Sequence, residues 1–170
     1  MKDYQFAYGK GSVTVPLDER SVLAVLHGNE APAMQDIRAG LVESLENPIG
    51  AKPLREEIPA GARVALVVSD MSRFWMRQDL VIPHLVAYLH TACGVPYERL
   101  TIVVANGTHL GGSEQELRTL VTPEVFDRVK VENHDCEAKN LVYLGTTAHD
   151  TPVWINHTVA AADFVVCLGA

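Results

Sequence analysis

Three uninterrupted apolar runs constrain this chain most: residues 63–69, 99–105 and 163–168 place β-branched and aliphatic side chains in succession with little polar alternation. A run of that kind needs cover on both faces, which is the signature of an interior strand in a parallel sheet. Between the first two runs, residues 78–93 read as a helix, with Pro83 tolerated in its first turn and Gly94 closing it. Ser113 and Glu116 then stand at capping-box spacing, and Thr122-Pro123 opens another short helix. Shorter strands are expected at 128–132, 141–144 and 152–156, with Trp154 on the apolar strand and therefore in the core. Strands separated by helices imply crossover connections and parallel pairing. The expected class is α/β: a doubly wound, mostly parallel sheet with helices on both faces, Rossmann-like, with a small antiparallel excursion near residues 140–156.

The first sixty residues read differently. Residues 12–16 and 21–26 are expected as short strands, 27–32 as a loop, and 33–45 as a helix placing Met34, Ile37, Leu41 and Leu45 on one face. Asn47-Pro48 stops that helix, and 52–60 is a polar connector with prolines at 53 and 59. The expected organisation is a lead-in, 1–60, packing on an α/β core, 61–170.

Composition removes whole classes of function. Fourteen Lys and Arg against 21 Asp and Glu, a net charge of −7, leave no basic cluster to reward a phosphate backbone, so nucleic acid is not an expected partner. No apolar run approaches the roughly 20 residues that cross a bilayer, so no membrane role is expected. The amino terminus lacks the apolar stretch of a secretory signal, and three cysteines without C-x-x-C spacing suit reduced thiols. The expected location is cytoplasmic. H-E-x-x-H, G-x-S-x-G, EF-hand, dinucleotide and Walker A patterns are all absent from the sequence.

Ligands of open parallel sheets bind beyond the carboxyl ends of the strands, and two such ends here carry chemistry. Ser69-Asp70-Met71-Ser72-Arg73 follows the first apolar run, and Asn106-Gly107-Thr108-His109-Leu110-Gly111-Gly112 follows the second. If those strands are neighbours, Asp70, Arg73 and His109 converge on one cleft. Histidine as a residue type suits acid–base work near neutral pH, which makes His109 a candidate; Arg73 can grip a carboxylate through its planar fork; Asp70 can orient either. Gly107 and the Gly111-Gly112 pair allow close approach of backbone to a ligand. The structural alternative is that Asp70 and Ser72 cap the next helix and Arg73 pairs with Asp70 at the surface. Trp75 is a candidate wall for the cleft. His84 and His90 lie six apart on different faces of a helix, so they form no metal pair.

Taken in order, several segments resemble the N-terminal part of the lactate racemase family, which uses a nickel-pincer nucleotide. They are Tyr8-Gly9-Lys10-Gly11, Leu45-Glu-Asn-Pro48, Val68-Ser-Asp70-Met-Ser-Arg73, Ala105-Asn-Gly-Thr-His109, Asn133-His-Asp135, Leu144-Gly145-Thr146, Pro152-Val-Trp-Ile-Asn156 and Ala162-Asp163. The resemblance implies a two-domain racemase or epimerase with its active site between the domains. Its chemistry would be hydride transfer between the carbon of a 2-hydroxy acid and the cofactor, with histidine acid–base catalysis. By position His109, Asp70 and Arg73 would be catalytic, with Arg73 facing substrate. Ser72, where the family usually has Thr, would contact the cofactor together with Gly107 and Thr108. No metal ligand is expected on this chain. The family's second histidine, its cofactor-anchoring lysine and its nickel-ligating histidine lie beyond the last matched strand. The resemblance therefore implies a missing C-terminal domain as partner, truncation before it, and an inactive fragment. Two departures fall where the substrate wall is expected: Phe74-Trp75 in place of a Pro after Arg73, and Leu110 in place of an Arg after His109. The expected substrate is thus a small 2-hydroxy acid as a class. The alternative is a non-enzymatic α/β module that binds phosphate or a nucleotide at the same two loops.

Overall fold

The computed structural model describes residues 1–169, which divide into two compact units, Met1–Ala33 and a second that begins at Met34. In the first unit, β1 (Lys2–Tyr8) and β2 (Gly11–Leu17) form an antiparallel hairpin with Tyr8 opposite Gly11 and Lys2 opposite Leu17. The two-residue turn requires left-handed backbone, which Gly9 supplies at φ +58°. Residues 2–8 are a strand that the polar composition of this segment concealed. Residues 21–26, expected as a strand, are not one: a 3₁₀ turn covers Glu19–Ser21 and the following residues pair with no strand. Leu23 is fully exposed there. High β-propensity is realised only where a neighbouring strand and a packing surface exist, and this segment has neither.

The second unit opens with α1 (Ile37–Glu46), which starts later than its apolar spacing suggests. Asp36 caps it by accepting the Ala39 N–H at 2.9 Å, which leaves Met34 outside the helix and exposed. Leu41, Val42 and Leu45 pack on the core. A single turn, α2 (Leu54–Glu57), interrupts the expected connector directly after Pro53. Then follow β3 (Val64–Ser69), α3 (Ile82–Thr91), β4 (Leu100–Ala105), α4 (Glu114–Val121), α5 (Pro123–Phe126) and β5 (Lys130–Asn133). The antiparallel pair β6 (Val142–Thr146) and β7 (Pro152–Ile155) comes next, then α6 (His157–Ala161), unanticipated from sequence, and finally β8 (Phe164–Leu168).

The main sheet has the order β5-β4-β3-β8, with every pair parallel. Alternation within the strands divides its two faces. Val64, Leu66, Val68, Leu100, Ile102 and Val104 join the cluster built by α3, α4 and α5. Ala65 and Val103 point the other way, are also buried, and lie where α6 contacts β3 and β4. Helices therefore cover both faces, as a doubly wound sheet requires. The chain runs outward from β3 through β4 to β5, then returns to the free side of β3 as β8. Arg63 and Asp163 fasten that return: the guanidinium donates to both carboxylate oxygens at 2.8 and 3.0 Å, and the Arg63 backbone N–H adds a third bond at 2.9 Å. Trp154 departs from expectation. It is 55% exposed and packs at a tilt against Tyr143 across the β6–β7 hairpin, because that hairpin lies outside the main sheet.

Candidate active site

β3 and β4 are adjacent and end level, with Ser69 opposite Ala105, so the loops that follow them emerge side by side. Asp70 occupies the position that would cap the 3₁₀ segment Met71–Met76, yet its carboxylate makes no capping bond. It turns instead to two other groups. Oδ2 lies 2.6 Å from His109 Nδ1, and Oδ1 accepts the Ser72 hydroxyl at 2.6 Å. Ser72 Oγ in turn accepts from Arg73 at 3.4 Å. The structure thus brings Arg73, Ser72, Asp70 and His109 into one hydrogen-bonded row. Trp75 is exposed and does not line the cavity beside that row.

The row has an electrostatic direction. Burial of Asp70 pushes its carboxyl upward, but the hydrogen bonds from His109 and Ser72 outweigh it and hold the group below the usual carboxylate range. An ionised carboxylate can only accept, so the proton of the short contact belongs to His109 Nδ1. His109 Nε2 is then the basic nitrogen, on a side chain that is 61% exposed. Arg73 is exposed and makes no ion pair among the described residues, which leaves most of its donors free.

Two carboxamides hold these loops, and sequence reasoning assigned neither a role. Gln78, 2% exposed, accepts the Ser69 backbone N–H at 3.0 Å and donates to the Ser69 carbonyl at 3.2 Å, completing the end of β3 just before Asp70. Arg77, in the left-handed region at φ +55°, turns the chain so that Gln78 reaches back. Asn133, at the end of β5, does the same for Gly112: its oxygen accepts the Gly112 N–H at 3.0 Å and its amide donates to the Gly112 carbonyl at 2.8 Å. The Asn133 oxygen also accepts from buried Asn106 at 3.1 Å. Beyond Gly112 the expected capping box is present, with Ser113 and Glu116 each bonding the other's backbone N–H. Between the Asp70 loop and α4 lies a cavity of ≈ 270 Å³, walled by Met71, Val104, Leu110 and Leu117 and edged by Asp70 and Asn106.

A family profile described as the lactate racemase N-terminal domain matches residues 8–170, nearly the whole chain. The chain belongs to the lactate racemase N-terminal domain family. Among relatives of this family, the lactate racemase of Thermoanaerobacterium thermosaccharolyticum is 22% identical over 175 residues, covering 99% of this chain and 40% of that protein. The lactate racemase of Lactiplantibacillus plantarum is 23% identical over 165 residues, covering 95% of this chain and 38% of that protein. The chain therefore spans about two fifths of the length of the lactate racemases it matches. The solved apoprotein of the Thermoanaerobacterium thermosaccharolyticum lactate racemase superposes with a TM-score of 0.81 at 21% identity, over 98% of this chain and 38% of that one. The α/β architecture is thus that of the N-terminal part of a lactate racemase. No helix among the described residues is long and apolar enough to cross a membrane.

Gln78 and Asn133 had weak signals in the sequence. Asn133 stood in a matched segment without an assigned task, and Gln78 had no distinguishing neighbour. Their function lies in bonds to residues 9 and 21 positions away, which no local pattern encodes.

Proposed function

We propose that this chain is the N-terminal part of a nickel-pincer nucleotide-dependent racemase or epimerase of a small 2-hydroxy acid, working in the cytoplasm. The observation that carries the reading is the 2.6 Å contact between Asp70 and His109, on a base whose side chain is largely exposed. Asp70 fixes the Nδ1–H tautomer and stabilises the imidazolium that forms when Nε2 takes the substrate hydroxyl proton. His109 is one of two acid–base histidines in this reading. Arg73 receives the substrate carboxylate, and its free donors suit a bidentate grip.

The residues also fit the phosphate-bearing cofactor that this family implies. Gly107, at φ +59°, has open space where a side chain would stand, so backbone at Gly107 and Thr108 is accessible to an anionic group. Ser72, Gly107 and Thr108 would hold it. When bound, that group supplies the hydride acceptor. The residues assigned here are contacts to the nucleotide. A second histidine, an anchoring lysine and the nickel ligand come from outside this chain, which is inactive alone.

The test uses the longer protein that contains this chain, loaded with cofactor and supplied with a panel of 2-hydroxy acids. His109→Ala is expected to lower isomer interconversion by about 10²–10⁴-fold, the usual worth of a positioned acid–base group. Retained turnover would remove His109 from the mechanism.

A further inference from the structure

We propose that Asn133 is a positioning residue for His109, acting through the 106–112 loop and not on substrate. The inference rests on reading Asp70 and His109 as the reacting pair. Among the described residues the His109 ring has a single side-chain bond, the one to Asp70, so its place depends on where the loop backbone lies. The first anchor of that loop is Asn106, whose carbonyl accepts the His109 N–H at 2.9 Å and whose buried side chain donates to the Asn133 oxygen and to the His134 carbonyl. The second anchor is Gly112, bound through both its N–H and its carbonyl by Asn133. One carboxamide therefore gathers both ends of the loop. Among the described residues, no other side-chain hydrogen bond reaches residues 107–112 apart from Asp70 to His109.

The neighbouring glycine has been fitted to this arrangement. A Cβ on Gly111 would stand 2.9 Å from Cγ and Nδ2 of Asn133, closer than such atoms approach, and at an ordinary backbone angle. Absence of a side chain at Gly111 is what lets Asn133 sit over the loop. A carboxamide is needed because the site requires one acceptor and one donor on the same planar group. A carboxylate of identical shape would leave its second oxygen facing the Gly112 carbonyl, lone pair against lone pair. The arrangement repeats at the other loop, where Gln78 treats Ser69 in the same way. Asp70 thus follows a strand end completed by a borrowed amide, and His109 precedes a glycine held by another.

The experiment measures two things in Asn133→Ala, Asn133→Asp and Gly111→Ala. In the 170-residue chain labelled with ¹⁵N-histidine, the hydrogen-bonded Nδ1–H signal of His109 is expected to broaden or vanish in all three, while circular dichroism stays native. In the full-length loaded protein, kcat is expected to fall about 10–100-fold with KM changed less than about threefold, as a small misplacement of a reacting group predicts. The double variant Gly111→Ala/Asn133→Ala should lose no more than Asn133→Ala alone, because the side chain that the new methyl would strike is gone. An unaltered His109 signal in Asn133→Ala, even with a lowered melting temperature, would make Asn133 a stability residue and overturn the proposal. If Asn133→Ala does not fold, Gly111→Ala decides alone: a native signal there overturns it. Should His109→Ala leave isomer interconversion intact, the reading of His109 as a reacting group fails, while the signal of the isolated chain still judges Asn133.

Discussion

β4 and the β6–β7 hairpin carry similar apolar residues and meet opposite fates. Ile102 and Val104 are buried between a layer of helices and two neighbouring strands, whereas Tyr143, Leu144 and Trp154 are exposed on a two-stranded ribbon. The difference teaches that hydrophobic content decides whether a segment becomes a strand, and the number of layers around it decides whether that strand is core. A ribbon of two strands has no second layer of its own, so an aromatic pair on it gains a cross-strand contact and little burial.

The comparison can be broken at three points, taken from the largest expected effect to the smallest. Ile102→Ala is expected to cost about 2–5 kcal/mol in denaturant unfolding, since the side chain is fully buried and its neighbours can close the void only in part. A cost below about 1 kcal/mol would mean that the sheet is not the packed layer described. Asp163→Asn is expected to lower the urea midpoint less, by weakening the bonds from Arg63 that join β8 to β3. Its pH dependence has a definite sign. The Arg63 side chain and backbone hold the Asp163 carboxyl far below the ordinary value, so its contribution is complete above about pH 4 and is lost as pH falls through the depressed value. A native chain whose stability gains on acidification in that range, or a variant with the native acid slope, would contradict the fastening role. Trp154→Ala is expected to cost no more than about 1 kcal/mol, the worth of one exposed aromatic pair. A loss as large as that of Ile102→Ala would erase the distinction between hairpin and sheet.

The same distinction explains what could be read from the sequence. The buried strands were legible because two-sided burial writes itself as an unbroken apolar run, and their parallel pairing followed from the helices between them, whereas the strand order did not. Ser113 and Glu116 were legible because a capping box is local. Asp70, Ser72, Arg73 and His109 could be nominated because strand ends of a parallel sheet are where ligands meet it. Residues 21–26 and Trp154 misled for one reason: their apolarity promised a packing partner that the two units do not provide at those positions. β1 and α6 escaped notice because mixed polar side chains and a helix of five residues leave no strong period. The tasks of Gln78 and Asn133 were not legible because a carboxamide that binds distant backbone looks, in sequence, like any surface amide.

The order β5-β4-β3-β8 also sets an order in time. Val64 pairs with Leu100 and with Phe164, so one edge of β3 finds its partner early in synthesis and the other waits for the final strand. The wait adds little thermodynamic cost: closing a segment of about 100 residues instead of about 36 raises the loop entropy term by only about 0.9 kcal/mol. Its consequence is exposure. Until β8 emerges from the ribosome, the strand that delivers Asp70 presents a bare row of amides and carbonyls, the surface on which nascent chains stick to one another.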